Sequence, residues 1–351
     1  MQKKVLIAMS GGVDSSVAAV LLKQQGYNVV GATMCLGVAD TEGTASCCGP
    51  DATRDARKIC EKLDMPHYVL QFSDHLYSQV IKNFVDQYKL GRTPNPCVRC
   101  NQYLKFGYLY KYARSCDFDF IATGHYCGIQ EVDNVKYLRR HLDSKKDQTY
   151  FLYSIPPECI PHTLFPLQDI DKQEVRRIAK EEDLIVAEKA ESMEICFIPD
   201  NDYRSFLKKH NVQNVPGNFV DCIGKKLGTH TGIANYTIGQ RKGLGIAEGK
   251  PLYVASIDPA RNVVVLGEKK DLQKRSLVAS NCNLFMKEPF PELLTAKVRY
   301  SQEFIPCSAF MKDDQLHVSF HRDVEAITAG QSVVLYNGDL VVGGGIIESA
   351  E

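Results

Sequence analysis

Val5-Leu6-Ile7-Ala8-Met9-Ser10-Gly11-Gly12-Val13-Asp14-Ser15-Ser16 joins two hydrophobic periods through a pair of glycines. The continuous apolar run Val5 to Met9 reads as a buried parallel strand, since a strand covered on both faces has no polar side to show. From Ser15 to Gln25 the spacing turns helical, with Val17, Ala18, Val20, Leu21 and Leu22 inward, and Gly26 supplies the glycine that ends a helix. Adjacent glycines let backbone approach a phosphate, and a helix start offers unpaired N–H groups and a positive dipole end. The hydroxyls of Ser10, Ser15 and Ser16 add donors. No lysine follows the glycines and no G-x-G-x-x-G is present, which excludes the Walker loop and the dinucleotide fingerprint. The bland alternative is a tight turn with an ordinary serine cap.

Outward from this stretch the two periods keep alternating. Val29 to Met34 and His67 to Phe72 read as strands, and Thr53 to Leu63, Tyr77 to Tyr88 and Leu104 to Arg114 as helices. Asp119 to Thr123 is a further strand, ending at Gly124-His125. The alternation predicts an α/β fold with a doubly wound parallel sheet, Rossmann-like, with helices on both faces. Ligands in such sheets sit beyond the carboxyl ends of the strands, where Ser10 to Gly12, Met34 and Gly124-His125 fall. Asp171-Lys172-Gln173-Glu174 reads as a capping box opening a last helix through Lys180. From Gly217 the texture changes to short β runs: Tyr253 to Ile257, Val263 to Leu266, Leu293 to Tyr300, Leu316 to Phe320 and Val333 to Tyr336. Asn337-Gly338 before Leu340 to Val342 is a hairpin signal, and the regular spacing predicts a small β-barrel. The expected division is a catalytic domain over 1–200, a small β-rich central domain over 201–275 and a C-terminal β-barrel over 276–351.

A chain of 351 residues exceeds one ordinary core, and 44% hydrophobic with 24% charged residues is a globular composition. No apolar run is long enough to cross a bilayer, and Val5 to Met9 is too short for a signal-peptide core, so the expected location is the cytoplasm with no membrane partner. The 42 basic and 42 acidic residues balance, which counts against a non-specific nucleic-acid coat but leaves room for a basic face on a neutral body. Arg139-Arg140-His141 with Lys145-Lys146, Lys208-Lys209-His210, Lys225-Lys226 and Arg241-Lys242 are the candidate segments, each alone being more simply solvated surface.

Thirteen cysteines, an odd number in a long chain, are no disulfide framework. Cys60, Cys116, Cys127, Cys159, Cys222, Cys282 and Cys307 stand apart and read as small core hydrophobes. Cys97-Val98-Arg99-Cys100 follows Thr93-Pro94-Asn95-Pro96, two prolines that stiffen the approach. Cys100 is expected just before a helix, where the dipole and nearby Arg99 favour its thiolate. A lone C-x-x-C reads as half a zinc site, a redox pair or a nucleophile with a neighbour. Zinc needs a second spaced pair, and Cys47-Cys48 is adjacent, so no metal centre is expected. Cys196 lies in the strand-like Glu194-Ile195-Cys196-Phe197-Ile198. Cys35, Cys47 and Cys48 fall in a glycine- and polar-rich stretch after the second strand that reads equally as a loop or as an extra thiol or metal station.

Ser10 to Ser16 resembles the pyrophosphate loop of the ATP pyrophosphatases, a superfamily that includes GMP, asparagine and argininosuccinate synthetases and several tRNA-modifying enzymes. That likeness implies ATP, with Mg2+ expected alongside, cleaved between its α- and β-phosphates. Ala8, Met9, Ser10, Gly11, Gly12, Val13, Asp14 and Ser15 would hold the nucleotide, with adenine against Met34 and near Gly124. The ordered set formed by this loop, Thr93 to Asn101, Ile121 to Tyr126, Lys146 to Tyr150, Glu194 to Ile198, Tyr236 to Leu244 and Arg299-Tyr300 resembles the tRNA-specific 2-thiouridylases along the whole chain. The resemblance implies adenylation of the C2 carbonyl of the wobble uridine in tRNAs for Lys, Glu and Gln. It makes Cys196 the persulfide carrier and Cys100 the nucleophile that releases sulfur, leaving a transient disulfide between them. Asn95, Pro96, Cys97, His125, Lys146, Asp147, Gln148, Arg299, Tyr300 and Gln331 would hold tRNA, and a cysteine desulfurase or sulfur-relay protein would donate the sulfur. Some members carry Asp where Cys97 stands, so Cys97 does not inherit a general-base role. An iron–sulfur cluster on Cys97, Cys100 and Cys196 is the less favoured alternative. An amide-forming ligase would use the loop but not the cysteines, and a zinc-stabilised RNA-binding protein would use the cysteines but not the loop.

Overall fold

A computed structural model describes residues 2–37, 50–190, 195–198 and 202–351. Cys47, Cys48 and Glu194 lie outside them. The first strands are β1 (Lys4–Ala8), β2 (Asn28–Cys35), β3 (His67–Gln71) and β4 (Phe120–Ala122), followed by β5 (Gly128–Val132), β6 (Val135–Arg139) and β7 (Thr163–Leu164). A five-stranded sheet runs β3-β2-β1-β4-β7 with every pairing parallel, as the alternating periods predict. Helices α1 (Val13–Gln24) and α2 (Pro50–Lys62) are the crossovers that parallel pairing requires. The strand order reverses at β1, so the crevice beyond β1 and β4 is the switch point where such sheets bind ligands. Beneath it Val5, Ile7, Val17, Ala18 and Val20 pack with Val175 and Ala179 of the helix Lys172–Glu181, all fully or nearly fully buried.

Contacts group the described chain into two compact units. The first holds Met1–Val80, Cys97–Asn201 and Asp339–Val341, and the second Ile81–Pro96, Asp202–Gly338 and Val342–Glu351. In the first, the hairpin β5–β6 turns through Asp133 and Asn134, both at positive φ (51° and 61°), a turn signal that the sequence reading passed over. In the second, β8 (Gly217–Asp221), β9 (Lys226–His230), β10 (Tyr253–Asp258) and β11 (Val263–Gly267) form a four-stranded sheet in the order β10-β11-β8-β9. The remaining strands are β12 (Gln273–Leu284), β13 (Leu294–Lys297), β14 (Ile305–Lys312), β15 (Gln315–Glu325), β16 (Ser332–Asn337) and β17 (Leu340–Ala350). They follow the order β12-β15-β14-β13-β16-β17, and pairing of Leu277 with Ala350 and Val278 with Ser349 closes the barrel. Leu294, Ala296, Val318, Val333, Leu335, Val342 and Ile347 fill its interior.

Three local expectations change. The helix after the two prolines begins at Pro96, not beyond Cys100, because a proline at the first turn has no N–H to lose. It continues as a π-helical stretch over Cys100–Leu109 and an α-helical one over Tyr110–Ser115. Cys196 sits in a turn rather than a strand, with Ile198 N–H donating to Ile195 O at 2.9 Å. The helix Lys172–Glu181 is not the last, since Tyr203–Lys209 forms another. Among the described residues no helix is long and apolar enough to cross a membrane.

Candidate active site

The loop after β1 is built so that backbone can face a ligand. Gly11 has φ +68°, and a Cβ there would run into the Ala52 carbonyl in the first turn of α2. Gly12 is the N-cap of α1 and no side chain caps that helix, which leaves first-turn N–H groups for an anion. The serine hydroxyls close on the loop itself. Ser15 and Ser16 both donate to Gly12 O (3.1 and 2.8 Å), and Ser15 Oγ accepts from Ser10 N–H at 3.3 Å with Ser10 Oγ 3.2 Å away. They therefore set the loop's shape instead of reaching outward. Met9 and Val13 are buried beneath, with Met9 N–H donating to Ala32 O (2.8 Å) and Met9 O accepting from Thr33 Oγ1 (2.9 Å).

Strand register brings the other nucleotide candidates to the same end. Ala8 pairs with Ala32 and Ile7 with Ala122, so Met34 and Gly124 both lie just past the loop's base. Met34 is half-buried. Gly124 presses on α1, since a Cβ on it would sit 2.7 Å from Ser15 N, which makes it a packing glycine beside the loop.

Two lysines from the far end of this unit reach the loop, and neither was read from sequence. Lys172 Nζ lies 2.7 Å from Asp14 Oδ1, an oxygen that also accepts from Tyr126 OH at 2.6 Å. Lys189 Nζ donates to Gly11 O at 2.9 Å and pairs with Asp55 Oδ2 at 2.7 Å. The nearest signal was the helix start at Asp171, whose carboxylate accepts from Glu174 N–H at 2.8 Å and so fixes Lys172 in the first turn.

His125 follows β4 and is half-buried against Phe106 and Phe165. Burial first, and the Lys105 ammonium second, hold its imidazole well below the usual histidine range. Lys105 lies 3.3 Å from Nε2 and has only protons to give, so the neutral ring carries its proton on Nδ1, facing Thr123 Oγ1 at 2.8 Å. Of the run Lys146-Asp147-Gln148, two members hold the fold. The buried Asp147 carboxylate accepts from His141 N–H and Thr149 N–H (both 3.2 Å) and from Thr149 Oγ1 (2.8 Å to Oδ2). Gln148 Oε1 accepts from Tyr126 N–H, and Gln148 N–H donates to Tyr126 O, both at 2.9 Å. Lys146 beside them is half-buried. Arg139 pairs with Asp169 at 2.6 Å and His141 is buried against the Leu167 and Ile170 carbonyls, so this part of the expected basic surface belongs to the fold.

In the second unit Arg299 and Tyr300 are half-buried, with Arg299 Nη2 donating to Glu325 O at 2.6 Å. The buried Lys297 holds its ammonium over the Tyr300 and Phe304 rings at 5.6 and 4.8 Å. Gln331 Nε2 donates to Thr93 O at 2.8 Å, which fixes the chain just before Pro94, Asn95 and Pro96. Asn95 is half-buried and Pro96 buried.

The cysteines separate by burial. Burial pushes Cys60, Cys159 and Cys307 up to about 12 and Cys127 well above its ordinary value, so these stay thiols. Cys282 is half-buried, while Cys116 and Cys222 are exposed, against the expectation that both are core. Cys97 is exposed in the first helical turn, and Cys100 and Cys196 are half-buried. Arg99 turns its guanidinium onto the Tyr103 ring (4.7 Å) and donates from Nε to Gln79 O (2.8 Å). Among the described residues, which include Cys97, Cys100 and Cys196, no three His, Cys, Asp or Glu side chains gather so as to hold a metal ion.

Comparison with known proteins agrees along the whole chain. Residues 3–200 match the family model described as tRNA methyl transferase HUP domain, 204–268 the tRNA methyl transferase PRC-barrel domain, and 274–347 the aminomethyltransferase β-barrel domain. A solved NMN synthetase from Francisella tularensis is a distant likeness, with TM-score 0.35 and 17% identity over 58% of this chain and 72% of that one. The tRNA-specific 2-thiouridylase MnmA 1 of Syntrophus aciditrophicus is 49% identical over 100% of this chain and 94% of its own. Its counterparts in Clostridioides difficile and Clostridium acetobutylicum are each 48% identical, covering 100% and 99% of this chain and 99% and 100% of theirs. With identity near one half sustained from end to end, the chain belongs to the tRNA-specific 2-thiouridylase family.

Proposed function

We propose that this chain is a tRNA-uridine 2-sulfurtransferase that uses ATP to convert the wobble uridine of the tRNAs for Lys, Glu and Gln into 2-thiouridine. The observation that carries the reading is an uncapped helix start behind two glycines at the sheet's switch point, in a chain whose full-length relatives are named for tRNA 2-thiolation. A pyrimidine carbonyl is a poor electrophile with a poor leaving group. Attack of its C2 oxygen on the α-phosphate of ATP releases pyrophosphate and leaves an O-adenylate. The terminal sulfur of a Cys196 persulfide then adds at C2 and AMP departs with the oxygen. Cys100 thiolate attacks Cys196 Sγ, breaking the S–S bond, which frees 2-thiouridine and leaves the Cys100–Cys196 disulfide. A cysteine desulfurase or relay protein re-forms the persulfide after reduction.

Mg2+ would travel with the nucleotide. Phosphate oxygens and water would supply most of its shell. Asn95, Pro96, Cys97, His125, Lys146, Arg299 and Tyr300 are the candidates for touching tRNA, whereas Asp147, Gln148 and Gln331 would act by holding those neighbours in place. We keep 1–200 as the catalytic part, 201–275 as the central part, 276–351 as the barrel, and the cytoplasm as the location.

The test is mass spectrometry of tRNA nucleosides after incubation with ATP and a persulfide donor, with pyrophosphate release followed in parallel. Wild type is expected to form 2-thiouridine. Cys196→Ser should lose it while still releasing pyrophosphate, and Cys100→Ser should lose it while persulfide persists on Cys196. Cys97→Ser should keep substantial activity. Loss in Cys97→Ser as complete as in the other two, together with bound iron in the wild type, would replace the relay with a cluster.

A further inference from the structure

The loop sequence lacks the lysine with which many phosphate loops neutralise their ligand, and its first helical turn carries a carboxylate, Asp14, where a polyphosphate is to arrive. An uncompensated carboxylate there would oppose both the helix dipole and the backbone N–H groups. The fold answers from one helix and the chain that follows it. The helix Lys172–Glu181 packs its Val175 and Ala179 into the core that holds α1, which places Lys172 Nζ 2.7 Å from Asp14 Oδ1. The chain then turns back through buried Leu184 and Val186, which brings Lys189 Nζ to Gly11 O (2.9 Å) and Asp55 Oδ2 (2.7 Å). Both ammonium groups are mostly shielded, with side-chain exposures of 14% for Lys172 and 29% for Lys189, so water screens them less than it would surface lysines.

We propose that Lys172 and Lys189 are the charge-compensating residues of the nucleotide loop, supplied from the far end of the domain in place of a lysine within the loop. Lys172 cancels Asp14, so that the start of α1 stays attractive to the β- and γ-phosphates. Lys189 ties the Gly11 carbonyl and neutralises Asp55, a second carboxylate held next to the loop. Both are positioning residues, because each acts through a group of the loop. The inference rests on the reading that ATP binds there.

A ligand pair that differs only in the outer phosphates tests it. Binding of ATP and of AMP is measured by calorimetry on the full chain, for wild type, Lys172→Met, Lys172→Arg, Lys189→Met and Lys189→Arg, with thermal unfolding run on each. The methionine variants are expected to bind ATP at least about tenfold more weakly, since each leaves a partly buried carboxylate without its cation. AMP affinity should change far less, pyrophosphate should inhibit less well, and the arginine variants should recover much of the ATP affinity. Equal losses for ATP and AMP, or unchanged ATP affinity in folded methionine variants, would overturn the proposal and leave the lysines as structural ties. A wild type that binds ATP no better than AMP would overturn the ATP reading itself, which is a separable result.

Discussion

At the carboxyl end of the parallel sheet polar groups crowd together and pair with one another, whereas the barrel strands bury mainly apolar side chains, with Lys297 and Ser332 as buried polar exceptions. Around the loop, Asp14 binds Lys172 and Tyr126, Lys189 binds Asp55, three serines close on Gly12 and on one another, and Gly11 and Gly124 occupy spaces that no side chain would fit. In the barrel, Leu294, Val318, Val333, Leu335 and Val342 make the interior, and the strands leave no open edge because β12 pairs with β17. The first region is arranged for chemistry and has little slack in position. The second is arranged for stability, and its specific contacts lie at strand ends and turns such as Arg299, Tyr300 and Gln331.

The largest difference between the regions should come from a single methyl group. Gly11→Ala is expected to cut adenylation, read as tRNA-dependent pyrophosphate release, by at least about a hundredfold, because the loop must move off the Ala52 carbonyl and abandon φ +68°. Near-normal release would break the claim that this end of the sheet tolerates no displacement. Leu335→Ala in the barrel is expected to cost about 2–5 kcal/mol in urea unfolding, as a fully buried leucine leaves a cavity behind. ATP affinity should be unchanged in the molecules that stay folded, and a parallel loss would show that the two regions are not separable.

The smallest effect concerns acid. His125 stays neutral when folded because burial and Lys105 oppose its charge, whereas in the unfolded chain it takes a proton near pH 6.5. Below that pH the unfolded state therefore binds more protons, and stability falls by up to about 1.4 kcal/mol per pH unit. Urea unfolding at pH 7.5 and 5.5 should show a smaller acid loss in His125→Asn than in wild type. An identical loss would mean that His125 is not the group that resists protonation.

The hydrophobic periods of the first 125 residues determined four of the five strands of the parallel sheet, because a strand buried on both faces and a helix with one apolar face leave different spacings in the chain, whereas the two-residue β7 is too short to show a period. The strand–glycine–helix stretch likewise marked the turn between β1 and α1, since the positive φ at Gly11 and its close approach to Ala52 require a residue without a side chain. The hairpin between Gly128 and Arg139 was legible at Asp133-Asn134, and the strand expected at Cys196 became a turn because the four apolar residues Ile195 to Ile198 do not fix a partner. Only the tertiary structure decided which polar residues serve the fold. Asp147 and His141 are buried in hydrogen bonds, Gln148 and Gln331 tie backbone, and Lys172 and Lys189 arrive at a loop more than 150 positions away in sequence. A charge shows its type in the sequence, but its partner is set by which helix packs on which strand, and that is a property of the folded chain alone.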